Sequence, residues 1–419
     1  MPGGDANSSL RRLLALTAAV VLLALMLLAK YGRQPDTATI QIMAHALTSP
    51  AGTDSTFYMH MGDTAFRQPG QSIYRQLFFE QHEKFIYPPL SLAFLYGLNE
   101  ASALHVSSDT ALLAILLVSW AGVLALAVWF YKLQKTEGTW SEAVCIILLG
   151  ILFLPIAEAL YRGQIQLVLT WLWGLAVVLW TKRKPGVSAF LVGITCAFKP
   201  QLGIFLLWGA LRRQWRFTAV LGVTIACIAI CSVAFFGLRN SLDYFSVLRY
   251  LGRHGEALWA NQSFNGLMNR LLRNGDAMSW NPTVYPPYRP LVYVVSTLAS
   301  LVVFAAAMLV PILYKWQGTT ADFLFAGCSS VLVSPIAWEH HYGYFFFVIV
   351  YFLARAGALT QAAWLTFCLC TMALANRLPP LDHRMQGVIS LVSSYMLYAG
   401  LTLLWLLIAQ QRKRVKHSV

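Results

Sequence analysis

Charge is scarce in this chain. Asp, Glu, Lys and Arg make up 11% of its 419 residues, against 58% hydrophobic residues, and a soluble domain has no interior large enough to hide that much apolar surface. Acid is scarcer still, 17 Asp and Glu against 31 Lys and Arg. The resulting net charge of +14 would suggest nucleic acid in a soluble protein. Here many runs reach the roughly 20 apolar residues that span a bilayer, so the excess base is read as topology, because Lys and Arg gather in cytoplasmic loops. No nucleic-acid partner is expected. The basic end, Arg412, Lys413, Arg414 and Lys416, reads as a cytoplasmic tail beside membrane lipids. All seven cysteines lie in apolar segments, and none stands at metal-type spacing from a histidine. That excludes a zinc-site or disulfide signature, and no metal or other cofactor is expected. A G-x-x-x-x-G-K-S/T nucleotide cradle is missing, as are 20–50-residue repeats and low-complexity tracts. One membrane domain, 1–419, fills the chain.

What is there is a series of apolar runs. Arg11 and Arg12 precede Leu13 to Ala29; no small-residue cleavage site follows, which predicts a retained first span rather than a signal peptide. A polar stretch from Tyr31 to Ile86 carries Asp36, Asp54, Asp63, Glu80 and Glu83. The apolar helix after Tyr87-Pro88-Pro89 is too short for a full span. Further spans are predicted at about 109–131, 140–161, 164–181, 186–199, 200–212, 216–237, 290–314, 320–337, 339–355, 357–378 and 387–409. The expectation is an all-α polytopic membrane protein, a bundle of about 12 transmembrane helices with a helical first extracytoplasmic loop, 31–108, and a second such loop, 238–288. Both termini then face the cytoplasm, as do Lys132, Lys135, Lys182-Arg183-Lys184, Arg212-Arg213-Gln214-Trp215-Arg216 and Lys315, in agreement with the orientation rule. The pair 186–199 and 200–212 has about 13 residues each, near 20 Å, so these helices meet below the surface and leave Lys199 recessed.

The same topology sends the polar interruptions of the apolar runs to the outer side. These are Arg162-Gly163-Gln164, Lys199-Pro200, Asn261-Gln262-Ser263 with Arg270, Glu339-His340-His341 and residues 379–386. Ionisable groups at membrane depth are expensive and mark function by default, so an outward-facing cavity is inferred. Carboxylates beside cations and histidines suit transfer onto a hydroxyl: a carboxylate takes the proton and a cation stabilises a phosphate leaving group. Each residue also has a plainer reading. Asp54 can be an ordinary loop acid, with Asp63 in reserve as the base. Lys199 can snorkel, Arg162 can anchor the end of a span, Gln164 can bond between helices, and Asn261 and Gln262 can cap a loop helix.

In order along the chain stand Asp54 with Tyr58, Gly70-Gln71-Ser72-Ile73-Tyr74, Tyr87-Pro88-Pro89-Leu90, Gly163-Gln164, Lys199-Pro200, Asn261-Gln262-Ser263 with Arg270, and Ser334-Pro335 to His340-His341. This pattern, over roughly 54–345, resembles glycosyltransferase family 87, of the polytopic GT-C class, which includes polyprenyl-phosphomannose-dependent mannosyltransferases of phosphatidylinositol mannoside synthesis. The resemblance implies a metal-free, inverting transfer of a sugar, mannose in the best-known members, from a polyprenyl-phosphate donor to a hydroxyl on a lipid or glycan acceptor. It places the enzyme in the plasma membrane with an extracytoplasmic site. By the resemblance Asp54 is the general base, and His340 or His341, with Lys199, holds the donor phosphate or sugar; which histidine faces the cavity is left open, and Arg162 and Arg270 are candidates for the same phosphate. Gln164, Asn261, Gln262, Tyr58 and Glu339 are further substrate contacts. The chain departs from the pattern in a longer lead-in, 31–53, in Gln166 where asparagine is common, and in Glu339 where aspartate is common. A transporter or flippase of lipid-linked sugars is the rival reading. It calls for repeat symmetry and paired broken helices, and one clear broken pair, 186–212, is visible.

Overall fold

The computed structural model describes residues 3–33, 37–48, 54–68, 70, 72–100, 105–135, 138–378 and 386–417, with side chains from Ser8 to Arg414. Asp36, Gln71 and most of the outer stretch 379–386 fall outside the described residues. Among the described residues the protein is helical, and its one isolated backbone bridge joins Asn261 to Trp338. The helices are α1 (Gly3–Tyr31), α2 (Thr39–Thr48), α3 (Asp54–Phe66), α4 (Leu92–Glu100), α5 (Ser108–Gln134), α6 (Trp140–Ile151), α7 (Leu154–Tyr161), α8 (Gln166–Thr181) and α9 (Pro185–Cys196). After them come α10 (Ile204–Leu211), α11 (Trp215–His254), α12 (Phe264–Leu271), α13 (Pro290–Leu313), α14 (Thr320–Leu332), α15 (Phe345–Leu353), α16 (Gln361–Ala375), α17 (Ser390–Ser393) and α18 (Tyr395–His417).

Helix starts follow local chemistry. Thr139 and Glu142 close a reciprocal capping box on α6, Ser107 caps α5 and Thr319 caps α14. Prolines open α9 and α13, where the missing N–H costs nothing.

Lengths fall into two groups. The described part of α1 from Ser8, α5, α11 and α13 are long and apolar enough to cross a membrane, and two bent pairs, α6 with α7 (52°) and 387–393 with α18 (55°), raise the number to six. The apolar helices Gln166–Thr181, Pro185–Cys196, Pro200–Leu211, Thr320–Leu332 and Gln361–Ala375 are shorter. The protein is thus a helical membrane protein, but its helix lengths carry four to six spans by themselves, not about twelve. As expected, α4 is too short to cross, at nine residues. The loop expected at 238–288 is largely helical at its start: α11 continues to His254 across a non-helical Gly237 (φ 84°). Its second half turns Tyr244, Val247 and Leu251 inward and leaves Leu242 and Phe245 exposed, an amphipathic pattern.

The short helices build the site. α9 runs about 18 Å from Pro185 and the Lys184 turn, and the chain reverses at Lys199-Pro200 into α10. α14 and α15 repeat the device. α14 rises from Thr320, the chain turns through Ser334-Pro335 and a 3-10 segment Glu339–Tyr344, and α15 returns. By contrast α5 extends about 40 Å. Both short hairpins therefore end part-way along the bundle. Aromatic stacking fixes them against α8: Trp173 lies parallel to Phe323 (5.1 Å, 4°) and Trp180 to Phe323 (5.1 Å, 10°). The approach is close enough that a Cβ on Gly327 would sit 2.1 Å from the Trp173 ring, so only glycine fits there.

Two apolar clusters result. The larger joins the bundle helices. The smaller packs Met59, Tyr74, Phe78, Phe85, Leu92 and Leu95 against Phe236, Tyr244, Val247 and Leu251. It forms a lid of 54–98 tied to the second half of α11 by Ile73 N donating to Asn240 Oδ1 (2.8 Å) and Ser72 Oγ to Asp243 Oδ2 (2.5 Å).

Candidate active site

Between the hairpin tips and the lid lies a cavity of about 890 Å³. Its walls come from segments far apart in sequence: the start of α3, the turn after α7, the tips at 198–201 and 333–341, the end of α11 and the loop beyond it. Of the residues singled out in the sequence, Asp54, Tyr58, Arg162, Gln164, Lys199, Glu339, His340 and His341 all line it.

Asp54 opens α3 and is held by the turn that follows α7. Its own N–H donates to Arg162 O (3.2 Å), Ile165 N donates to Ser55 Oγ (2.8 Å), and Gln164 Nε2 donates to Asp54 Oδ2 (3.0 Å). Gly163, at φ +64°, lets the turn fold back to make these bonds. Burial pushes the Asp54 carboxyl above its ordinary value, opposed by the Arg162 guanidinium and the Gln164 hydrogen bond. Tyr58, one helical turn on, is pushed up to about 12 by burial and then by the Asp54 charge, so it is a neutral hydrogen-bond donor at physiological pH.

Four acids and four bases line the cavity: Asp54, Glu158, Glu256 and Glu339, with Lys84, Arg162, Lys199 and Arg377. Six of them close on one another. Arg162 pairs with Glu158, Arg377 bridges Glu158 and Glu339 at 2.7 Å each, and Lys84 pairs with Glu256 at 2.6 Å. Asp54 and Lys199 are the two left without an ion pair among the described residues. Lys199 Nζ is buried without any hydrogen-bond partner, and so is His341 Nδ1. A buried amine without a partner is costly to charge, and an anion entering the cavity would offset that cost. The rings of His340 and His341 meet edge to face at 4.7 Å, and both reach the cavity wall.

Arg270, Asn261 and Gln262 are not brought to the cavity. Arg270, 1% exposed, spends its guanidinium on Leu258 O and Asn261 O (2.9 Å each) and Ser394 Oγ (2.8 Å). Asn261 Oδ1 accepts from Ala337 N (2.8 Å), Gln262 N donates to Ala337 O (2.8 Å), and Gln262 Nε2 donates to Ser393 O (2.7 Å). Ser263 Oγ donates to Pro335 O (2.8 Å). The Asn-Gln-Ser motif and Arg270 thus clamp the histidine-bearing segment from behind. Sequence reasoning missed Arg377, Glu158 and the Lys84–Glu256 pair. Glu158 carried a usable signal, an acid inside an apolar run. Lys84 Nζ also lies over the rings of Trp280 (4.0 Å) and Tyr285 (4.5 Å), a cation–π arrangement that no local motif announces. Among the described residues no group of three or more His, Cys, Asp or Glu side chains is disposed to hold a metal.

Comparison with known proteins points the same way. The chain is 30% identical over 283 residues, 64% of its length, to a polyprenol-phosphate-mannose-dependent alpha-(1-2)-phosphatidylinositol mannoside mannosyltransferase of Mycolicibacterium smegmatis. It is 26% identical over 272 residues, 62% of its length, to the protein of the same name from Mycobacterium tuberculosis. The matches span 61% and 59% of those relatives. The profile of glycosyltransferase family 87 matches residues 85–335, which takes in Arg162, Gln164 and Lys199 and stops short of Asp54 and the two histidines. With three-fifths of the chain matched, the protein belongs to glycosyltransferase family 87.

Proposed function

We propose that this protein is an inverting glycosyltransferase that moves a hexose, mannose by analogy with its relatives, from a polyprenyl-phosphate donor to a hydroxyl on a lipid or glycan. The observation that carries the reading is the charge balance of the cavity: the acid and the base left over, Asp54 and Lys199, suit the two ends of a displacement. The donor phosphate lies against Lys199 and the His340–His341 pair, and its prenyl chain leaves sideways into the bilayer. Arg162 is neutralised by Glu158 and contributes orientation more than charge. The acceptor hydroxyl lies on the opposite face of the sugar, hydrogen-bonded to Asp54. Its oxygen forms a bond to the anomeric carbon as the bond to phosphate oxygen breaks. The hydroxyl proton passes to Asp54, and polyprenyl phosphate departs with the electron pair. A β-linked donor then yields an α-glycoside. The raised pKa of Asp54 makes it a stronger base than an exposed carboxylate. The lid of 54–98 keeps water from competing for the sugar.

We read the membrane orientation from charge. Lys132, Lys182–Lys184, Arg213 and Lys315 sit at helix ends opposite the cavity, and the orientation rule puts that end in the cytoplasm. This makes the cavity extracytoplasmic and both termini cytoplasmic, as fits a plasma-membrane enzyme. In this reading the short hairpins complete twelve passes by stopping at the cavity. The test is to incubate purified protein with a panel of polyprenyl-phosphate sugars and a lipid acceptor, with and without chelator, and to quantify polyprenyl phosphate. Chelator-insensitive release with the mannosyl donor is expected; release with no sugar of the panel would overturn the proposal.

A further inference from the structure

A second recess, of about 440 Å³, lies at the end of the bundle away from the cavity. Its residues come from helix ends: Gln134 closes α5, Thr181 closes α8, Thr320 opens α14, and Gln411 and Arg414 lie near the end of α18; the opposite ends of α8 and α14 lead to the cavity at Gln166 and Val333. Three arginines line it, Arg183, Arg355 and Arg414, and no acid does. Among the described residues none of the three is ion-paired. Arg183 sits in the tight α8–α9 turn at φ +60°, a conformation uncommon for a side-chain-bearing residue that the Arg183 N–H to Trp180 O bond (3.0 Å) maintains. Arg355 is laid over the Tyr351 ring at 3.8 Å and steadied by donating to Gln134 Oε1 (2.7 Å). Tyr351 is held in turn by Gln411 Nε2 donating to its hydroxyl (2.9 Å). The buried acid Asp322, next in sequence to the lining residues Gly318 to Ala321, already accepts from Arg212, Trp208 and the Gly318 N–H.

An orientation signal needs only that basic residues stand in the right loops. It does not need three guanidiniums to face one recess, nor one of them to be fixed by stacking and an amide. Like charges gathered without an acid repel, and the arrangement is relieved by a bound anion. Guanidinium forks match the oxygens of a phosphate; Thr181 and Thr320 line the recess beside them, their hydroxyls 3.2 Å apart and Thr181 donating to Val177 O (2.8 Å). We propose that this recess is a second ligand site, specific for a phosphate group and separate from the sugar-transfer cavity. Such a phosphate belongs either to an anionic lipid headgroup or to a soluble phosphate compound, and the two arms of the experiment separate these sources.

In the first arm, pyrophosphate is titrated into the detergent-purified full-length protein by calorimetry. In the second, the protein in nanodiscs of phosphatidylcholine with or without phosphatidylglycerol is analysed for retained lipid by native mass spectrometry. Lys199→Met serves as the background in both, which removes the free cation of the active-site cavity. Pyrophosphate binding that weakens about tenfold in Arg355→Gln and again in Arg414→Gln supports a soluble ligand. Retained phosphatidylglycerol that is lost in the same variants supports a headgroup. Arg414 is exposed, so its variant remains informative if Arg355→Gln fails to fold. Binding unchanged in both arginine variants, or no binding in either arm, overturns the proposal.

Discussion

The two ends of the bundle bury charge in opposite ways. At one end Arg212 and Asp322 are both fully buried, and every oxygen and nitrogen is answered. Arg212 donates twice to Asp322 (2.9 Å each) and to Met308 O and Ala307 O (2.9 Å each), and Trp208 and Gly318 add bonds at 3.0 and 2.7 Å. At the other end Lys199 Nζ and His341 Nδ1 are buried with nothing to hold. A buried pair of good geometry is a closed account that fastens α10, α13 and α14 together. A lysine amine left without a partner at the tip of a hairpin contributes no polar bond to the fold. In the proposed reading a ligand completes it, and that difference would separate scaffold from site.

Substitutions at the two ends should therefore fail differently. The largest effect is expected at Asp54: Asp54→Asn should lower turnover by about 10³-fold or more, within the range of lost general-base catalysis, with the thermal unfolding midpoint unchanged. Next, Asp322→Ala should cost about 3–5 kcal/mol by stranding a buried guanidinium, read as a lowered unfolding midpoint or loss of folded protein; a fully stable variant would show that the pair is dispensable. Lys199→Met should do the reverse, raising the donor KM about tenfold or more for the lost charge-assisted contact while leaving stability unchanged or improved. A destabilised Lys199→Met would make the residue part of the scaffold and erase the contrast.

A smaller effect is expected with pH. A general base at Asp54, as proposed, must be deprotonated, and burial raises its pKa. The rate should thus fall, as pH is lowered, through a value above the ordinary carboxylate value of 3.8. A rate profile flat down to that ordinary value would place Asp54 outside the proton transfer.

Much of this contrast was legible in the sequence, and the part that was not has a physical reason. The recessed Lys199 followed from counting residues on either side of Lys199-Pro200, because helix rise per residue is fixed. The gathering of Asp54, Gln164 and His340–His341 at one end followed from alternating passes and the basic loops. Asn261, Gln262 and Arg270 were read as ligand contacts because a polar motif facing outward looks the same whether its side chains point at a substrate or at neighbouring backbone. Only the carbonyls of Leu258, Ser393 and Pro335, brought in by the fold, decide between the two. Arg212 likewise read as one of a basic loop cluster, yet it turns inward to Asp322, an acid inside an apolar run whose partner lies 110 residues away. Arg377 could not be linked to Glu158 and Glu339 from order alone. The helical membrane class was legible, but the expected count of about twelve spans was not matched by helix length, which gives four to six, since a run of apolar residues does not say where a helix stops.

The most direct test of the central claim is a paired measurement of donor binding and single-turnover release for wild type, Asp54→Asn and Lys199→Met, using polyprenyl-phosphomannose. Asp54→Asn should bind donor as wild type does and release polyprenyl phosphate about 10³-fold or more slowly, and Lys199→Met should lose donor affinity. Near wild-type release by Asp54→Asn, or unchanged donor affinity in Lys199→Met, would contradict the assignment of the two uncompensated charges to the two ends of the reaction.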